Sequence, residues 1–309
     1  MVIRYGIFQM ESPRLRQNET LKEEIKMKKF VSLLLAVLMV ASLAACGQKT
    51  DAETSPAPDE SAATLKILDT EYVTEDYAIA VNKGNTALLD KINGALKTLI
   101  DDGTVKQVVD FYVSGEGELP KFQENVAADA EVLTMATNAE FPPYEFYESD
   151  TIVGIDAVIA GLIADQLGMK LEISDMAFDS IIAAVTSGKA DMAMAGLTVT
   201  DERKQSVDFS ESYATGVQVI IVRDDSDITS ADDIVAKIEN GEDVQIGCQN
   251  ATTGYIYASD TIENGGFGDE HVQAFPKGAD AVQALVTGKI DCVIIDNEPA
   301  KAFVAANNG

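Results

Sequence analysis

The sequence predicts an α/β fold made of two similar lobes, and two observations support this prediction. Residues 181–195 and 281–295 share one pattern: a helix, a Gly-Lys turn with Gly188 and Gly288 at equivalent positions, an aspartate and an apolar strand. The chain has 309 residues, 46% of them hydrophobic, which suits about two domains of ordinary size. Chance similarity between two helix–strand units is the alternative explanation of the repeat.

The composition argues against several functional classes. The formal net charge of −28 disfavours nucleic-acid binding, which requires a basic face. The chain has one histidine, His271, and no paired cysteine spacing, so we expect no metal site, and we also expect no cofactor. Cys248 and Cys292 lie in apolar strand-like runs, which predicts buried free thiols rather than a disulfide.

The first 64 residues are predicted to serve targeting and tethering. Residues 27–45 read as a signal peptide, because two lysines precede an apolar run too short for a bilayer core of ~30 Å. The ending LAAC resembles the lipobox of bacterial lipoproteins, which implies lipidation at Cys46 and an extracytoplasmic protein anchored to the cell membrane. Residues 46–64 are polar and proline-containing, as in a disordered tether. Residues 1–26 fit no targeting pattern, so we expect translation to start after them; N-terminal mapping that finds Met1 retained would contradict this.

Residues 65–113 are predicted to form two strands and two helices. The runs LKIL and YAIAV read as strands. Apolar residues then recur at helical spacing over 88–100, with Gly103 expected at the helix C-terminus, and a second helix follows over 104–113. Residues 114–130 read as a linker.

The stretch AGLTVTDERK, residues 195–204, is the strongest candidate for a ligand-binding segment. The small apolar run before it predicts a buried parallel strand, and Thr200 precedes two acids as a helix N-cap does. Open α/β sheets bind ligands where a strand gives way to a helix, because unpaired N–H groups there favour anions. Arg203 can hold a carboxylate by two hydrogen bonds at such a place. A helix cap followed by solvated charges is the plain alternative.

AGLTVTDERK closely resembles the segment that carries the carboxylate-binding threonine and arginine in the polar amino-acid-binding proteins of bacterial ABC importers, the family 3 extracellular solute-binding proteins. The resemblance implies a type II periplasmic-binding-protein-like fold, in which each of two lobes is a mixed, mainly parallel sheet flanked by helices. It also implies a binding protein rather than an enzyme. The partners would be a free amino acid, captured in a closing cleft, and the permease of an ABC transporter.

The order of the segments differs from that of the family. The chain resembles the usual beginning of the family from residue 131 onward, whereas residues 65–113 resemble its end. We interpret this as a circular permutation with hinges near residues 69–76 and 221–225, and we expect a monomer. A swapped dimer, in which residues 65–113 complete a neighbouring chain, is the alternative. The predicted segments are a lobe-two strand and hinge at 65–74, lobe one at 75–113 and 131–222, a permutation linker at 114–130, and lobe two at 223–309.

The resemblance also implies a role for each of eleven residues. The ligand carboxylate would be held by Arg203, Thr198, Gly196, Thr252 and Thr253, and the ammonium group by Asp296. The ligand side chain would lie between Phe141 and Phe178, with Asn138, Glu140 and Tyr144 nearby.

Two residues in this region depart from the family pattern. Asn138 stands where binders of basic amino acids often carry aspartate, which weakens the case for lysine or arginine, although Glu140 could restore a negative charge. Ala251 replaces a usual glycine, which leaves the geometry of its loop open. The sequence does not select one amino acid.

Three further alternatives remain at this point. The protein could pass its ligand-bound form to a signalling receptor, or it could be a dehydratase with Glu140 as general acid. The third alternative is that the permuted order is an assembly artefact and the protein has no function, and ligand-dependent stabilisation of a cooperative melt would argue against it.

Overall fold

The structure, a computed structural model, describes residues 63–69, 72–124 and 126–309. The predicted untranslated stretch, the signal peptide, the lipidation site Cys46 and all but the last two residues of the tether lie outside the described residues, so these expectations stay predictions. In the described ranges no helix is long and apolar enough to cross a membrane.

Strands and helices alternate along most of the described chain. The strands are β1 (Leu65–Ile67), β2 (Val73–Asn82), β3 (Val132–Thr137), β4 (Glu140–Phe141), β5 (Glu145–Glu148), β6 (Thr151–Val153), β7 (Lys170–Asp175), β8 (Met192–Ala193), β9 (Val207–Arg223), β10 (Ile246–Gln249), β11 (Val272–Phe275) and β12 (Cys292–Asp296). The helices are α1 (Thr86–Asp101), α2 (Thr104–Ser114), α3 (Ile155–Leu167), α4 (Ile181–Thr186), α5 (Arg203–Ser206), α6 (Ala231–Glu239), α7 (Thr253–Ser259), α8 (Gly278–Val286) and α9 (Asn297–Asn308). Single 3-10 turns lie at Phe178–Ser180, Ile262–Asn264 and Asp269–His271.

A mixed sheet extends through both lobes, which confirms the predicted two-lobed α/β fold. Its strand order is β11-β10-β12-β9-β2-β8-β3-β7, and β1 pairs with the end of β9. The long strand β9 is antiparallel to β2 in lobe one and to β12 in lobe two. The pairing changes from one lobe to the other near Gly216–Gln218, a few residues before the crossing expected at 221–225. A small antiparallel sheet, β4-β5-β6, lies beside lobe one.

The internal repeat is present as two helix–strand units. In lobe one α4 leads to β8, and in lobe two α8 leads to β12. Gly188 and Gly288 occupy the intervening turns with φ of 73° and 69°, the left-handed region that favours glycine. The lobe-one strand is only two residues long, shorter than the apolar run 190–195 predicted, although Met192 and Ala193 are fully buried.

Residues 65–113 fold onto the rest of the same chain. Strand β2 pairs with β8 and β9, and the apolar face of α1 packs on α3 in the main core. Strand β1 meets the end of α9: the Asn308 side chain accepts from Leu65 N at 2.9 Å and donates to Leu65 O at 2.8 Å. The beginning of the described fold therefore lies next to the end of the chain.

The segment between α2 and β3 is anchored to lobe one by two side chains. The Phe122 ring covers Gly161 of α3 so closely that a Cβ on Gly161 would lie 2.2 Å from Phe122 Cδ2. Gln123 imitates a strand partner along the edge of β7, because its side-chain oxygen accepts from Leu171 N at 2.8 Å and its side-chain nitrogen donates to Met169 O at 3.2 Å. The edge strand is thereby partly covered.

Candidate functional site

A small cavity lies where the carboxyl ends of β8, β10 and β12 meet between the lobes, as expected for ligand sites of open α/β sheets. The enclosed space is about 20 Å³, room for about one water molecule. Residues of both lobes surround it: Asn138, Phe141, Glu145, Phe178, Ala195, Gly196, Thr198, Arg203, Gln249, Thr252, Thr253 and Asp296.

Arg203 is held rigidly on one wall of this cavity. The Thr200 hydroxyl accepts from Arg203 N at 3.1 Å across the turn that leads into the four-residue helix α5, whose N-cap position is Glu202 rather than the predicted Thr200. The guanidinium donates to Thr198 O at 2.9 Å and to Ala251 O at 3.1 Å, and its carbon lies 5.5 Å from the centre of the Phe178 ring. Both hydrogen bonds go to backbone carbonyls rather than to a carboxylate, so the fork remains suited to an incoming anion.

Lobe two presents the start of α7 to the same place. Thr252 caps the helix, with its hydroxyl accepting from Tyr255 N at 3.3 Å, and the Thr253 hydroxyl lies 3.4 Å from that of Thr198. Ala251 adopts a φ of 61°, a conformation that favours glycine. The loop therefore keeps the left-handed geometry that a glycine would take, at the cost of some strain.

Asp296 ends β12 on another wall and is almost fully buried, with 8% of its surface exposed. The Tyr77 hydroxyl donates to its carboxyl group. Burial, and next the nearby charge of Glu75, raise the pKa of Asp296 to about 7. A cation arriving beside Asp296 would lower this pKa again and be held strongly in so dry a place.

Glu145 is a second buried acid in the cavity wall. Its side chain is fully buried, and neither carboxyl oxygen has a hydrogen-bond partner among the described residues. Burial first, and then the neighbouring Asp156, raise the pKa of Glu145 well above its usual range. Asp156 is tied down by Gly196 N, which donates to it at 3.0 Å. An unpaired buried carboxyl group facing a cavity is unfavourable unless a ligand supplies its partner.

Aromatic rings and amides complete the enclosure. The Phe141 ring packs on Gly196, whose φ is 51° and whose Cβ, if present, would lie 2.6 Å from Phe141 Cε1. Asn138 of lobe one accepts from Gln249 of lobe two at 3.0 Å, so an amide pair joins the lobes at this end of the cavity.

Nine of the eleven predicted site residues line the cavity, whereas Glu140 and Tyr144 do not. Glu140 instead pairs with Lys277 of lobe two at 2.5 Å and is partly exposed. Tyr144 packs behind Phe141, with ring centres 5.8 Å apart, and against Tyr77 at 5.2 Å.

Sequence reasoning missed three polar residues at or behind the cavity: Glu145, Gln249 and Glu75. Glu145 interrupts the apolar run FPPYEF, and Gln249 precedes the predicted helix start. Glu75 lies beside the strand YAIAV. Only Gln249, a polar residue at the end of the buried strand β10, carried a signal in the sequence, because such a group needs a partner. Glu75 lies between Thr74 and Asp76 within β2, and Glu145 begins the mostly exposed strand β5, so neither was distinguishable from a solvated acid.

Comparison with known proteins gives a consistent picture. The profile of the family described as bacterial extracellular solute-binding proteins, family 3, matches residues 133–301. The chain is 33% identical over 176 residues to the arginine-binding extracellular protein ArtP of Bacillus subtilis, covering 57% of this chain and 65% of that protein. It is 30% identical over 182 residues to a probable histidine-binding protein of Neisseria gonorrhoeae, covering 59% of this chain and 65% of that protein. The chain thus spans about 65% of the length of these relatives.

Solved structures of amino-acid-binding proteins are similar as well. The arginine-bound form of a truncated arginine-binding protein from T. maritima is 38% identical, with a TM-score of 0.51 over 57% of this chain and 79% of that one. An ancestral arginine-binding protein bound to arginine is 36% identical, with a TM-score of 0.52 over 58% and 75% of the two chains. An ancestral amino-acid-binding protein described as a precursor of cyclohexadienyl dehydratase is 32% identical, with a TM-score of 0.50 over 57% of this chain and 74% of that one.

Proposed function

The chain belongs to the bacterial extracellular solute-binding proteins, family 3, with their two-lobed type II fold, and from this premise we propose that it captures a free amino acid for an ABC importer. The observation that carries the proposal is the arrangement of charges in the cavity between the lobes. Arg203 offers a fork for a carboxylate, and Asp296 offers an acceptor for an ammonium group. A zwitterion satisfies both groups at once, so neither charge stays unpaired in the dry cleft.

The ligand that fits best is an amino acid with a cationic side chain, L-arginine first. Glu145 gives the cavity a further buried acidic group. The Phe141 and Phe178 rings supply faces on which a planar guanidinium can stack. The arginine- and histidine-binding relatives support this choice. Asn138, which counted against a basic ligand, is bonded to Gln249 and leaves the acidic role to Glu145.

Capture involves opening and closing of the lobes on the strands that join them. The enclosed space of about 20 Å³ is far too small for an amino acid, so a ligand enters only when the lobes separate or their walls move apart. Contacts that cross the cleft, including the bonds of Arg203 to Ala251 and of Gln249 to Asn138, re-form around the ligand on closure. Closure then removes water from the charged groups and strengthens their attraction.

A thermal-shift screen of the twenty amino acids against residues 46–309 tests the proposed function. We expect L-arginine to give the largest rise in melting temperature, because its cationic side chain fits the acidic cavity best. A ligand present at 100 times its Kd adds about 2.7 kcal/mol to stability, which is enough to measure. L-Lysine and L-histidine should follow, and acidic amino acids should have no effect. A melt that no amino acid shifts would contradict the proposal.

The placement and partners of the protein follow from the same proposal. A lipid at Cys46 would hold the protein at the outer face of the cell membrane, and a permease would receive the amino acid. Delivery to a signalling receptor remains the alternative use of the same ligand-bound form. The dehydratase alternative required Glu140 as general acid, and the pairing of Glu140 with Lys277 argues against that role.

We also propose that the chain is a circular permutation of its family. The family profile matches residues 133–301, and about 35% of the length of the first relatives lies outside their match to this chain. Strands and helices of residues 65–113 complete lobe one and the shared sheet within the same chain, which favours a monomer over a swapped dimer. The end of α9 touches β1, so the two pieces would be continuous if residue 309 preceded residue 63.

A rearranged chain tests the permutation. Residues 131–309 followed directly by residues 63–113 restore the order of the family and delete the linker. We expect this chain to be a monomer by light scattering and to bind L-arginine within about threefold of the original affinity, since no residue of the cavity moves. A folded product that does not bind L-arginine where the original does, or one that folds only as a dimer, would contradict the permutation.

A further inference from the structure

We propose that Glu75 is a positioning residue of the amino-acid site, where it orients the Thr198 hydroxyl and Gln218 and acts through its buried charge on Asp296, the acceptor of the ligand's α-ammonium group. This inference rests on the proposed function. It assigns a role to a hinge-strand acid that does not line the cavity.

Glu75 lies on β2 and is buried, with 5% of its surface exposed. Its Oε2 accepts from the Thr198 hydroxyl at 3.2 Å and from the Gln218 side-chain nitrogen at 2.9 Å. Its Oε1 is buried without a hydrogen-bond partner among the described residues. One carboxylate therefore joins the carboxylate-binding loop to both strands that connect the lobes.

These contacts place Glu75 where it acts on both ends of the zwitterion. By accepting from the Thr198 hydroxyl, it fixes the orientation of a group in the predicted carboxylate site. Gln218, held by Glu75, also faces Asp296 and the start of α7, where a Cβ on Gly254 would lie 2.9 Å from Gln218 Oε1. Rotation of the lobes about β2 and β9 is thus linked to the geometry of the binding groups.

The charge of Glu75 also controls the state of Asp296. Burial and the Glu75 charge raise the Asp296 pKa, so the unliganded cleft holds a proton on Asp296 near neutral pH. An ammonium group placed against Asp296 favours the ionised form, so binding releases that proton. The titratable or charged groups that face Asp296 are Glu75 and Tyr77 of β2, Tyr144 and Glu145, Arg203 of α5 and Tyr257 of α7, with Glu298 next to it on α9. Arg203 is the one cation among them.

The proton on Asp296 determines the direction in which the affinity for the ligand changes with pH. At pH values below the Asp296 pKa of about 7, the ligand competes with a proton for Asp296, so the affinity for the ligand falls as the pH falls. For a bound state with Asp296 ionised, the Asp296 proton alone should make L-arginine bind about fourfold more weakly at pH 6.5 than at pH 8.0, and a proton released from Glu145 would add to this difference. Replacing Glu75 by glutamine removes the charge that favours the proton, and the Asp296 pKa then falls.

The test is calorimetric titration of L-arginine into the wild type, Glu75→Gln and the matched control Asp76→Asn at pH 6.5 and 8.0, each in two buffers of different ionisation enthalpy. Asp76 is the exposed neighbour of Glu75 on the same strand. We expect Glu75→Gln to bind about tenfold more weakly at pH 8.0, to show a smaller difference in affinity between the two pH values than the wild type, and to release fewer protons at pH 6.5. Asp76→Asn should match the wild type. Protons released from Glu145 are common to all three proteins and cancel in the comparison.

The outcomes separate the two proposals. If the wild type does not bind L-arginine at pH 8.0, the proposed function fails, and this inference fails with it. If all three proteins bind with the same pH dependence and the same proton release, Glu75 has no such role, while the proposed function stands. Should Glu75→Gln not fold, a carbon-detected NMR titration of the wild-type Asp296 carboxyl group replaces it. The pH at which the Asp296 carboxyl group is half protonated must fall when saturating L-arginine is added. An unchanged midpoint overturns the inference.

Discussion

Replacing Arg203 by alanine is expected to abolish measurable binding of any α-amino acid while leaving the fold intact. The guanidinium is the group placed to pair with the ligand carboxylate, and its bonds to Thr198 O and Ala251 O fix its direction. Leaving a carboxylate unpaired in a dry cleft costs about 3–5 kcal/mol, a loss of roughly a hundredfold to several thousandfold in affinity. Calorimetric titration with L-arginine measures this loss.

The chain offers a matched control for this change. Arg223 is the last residue of strand β9, and it pairs with Asp225 at 3.1 Å, away from the cavity. Arg223→Ala should therefore bind L-arginine with nearly the wild-type affinity. Arg203→Lys keeps the charge without the fork and should recover only part of the loss. Unchanged affinity in Arg203→Ala would mean that the ligand binds elsewhere.

Glu145→Gln is expected to change which amino acid is bound. Glutamine at this position keeps the shape of glutamate and its ability to accept a hydrogen bond, but it cannot neutralise a cationic side chain. Affinity for L-arginine should fall by about 2–4 kcal/mol, roughly thirtyfold to almost a thousandfold, because a buried charge loses its partner. Affinity for L-glutamine, which has no side-chain charge, should change by less than about fivefold.

One control variant and one stability measurement are needed to interpret this result. Glu148→Gln alters an exposed acid on the same strand, β5, and should leave both affinities unchanged. Burial and the neighbouring Asp156 raise the pKa of the Glu145 carboxyl group well above its usual range, which favours the neutral form that glutamine resembles. The unliganded melting temperature of Glu145→Gln should therefore stay close to that of the wild type. Equal losses for L-arginine and L-glutamine would contradict a side-chain role for Glu145.

Local features of the chain were sufficient to identify the backbone elements that form the cavity. AGLTVTDERK and TTG each combine the end of a strand with the start of a helix, and CVIID ends a buried strand in an acid. These patterns depend on residues close together in sequence, and the structure brings Arg203, Thr253 and Asp296 to one cavity. The repeat of helix and strand was equally local, which is why the α/β class and the two lobes could be predicted.

Placement of the other polar side chains required the tertiary structure. Glu140 and Glu145 are five positions apart in the same apolar stretch, yet one pairs with Lys277 from the other lobe and the other faces the cavity. Glu75 reaches Thr198 and Gln218, which are distant in sequence, through strand pairing that no short pattern reveals. Local patterns were enough to predict which backbone segments end at the cleft, because strand and helix ends are encoded by neighbouring residues. Which acids are buried there became visible only in three dimensions, because burial and charge pairing depend on contacts between segments far apart in the chain.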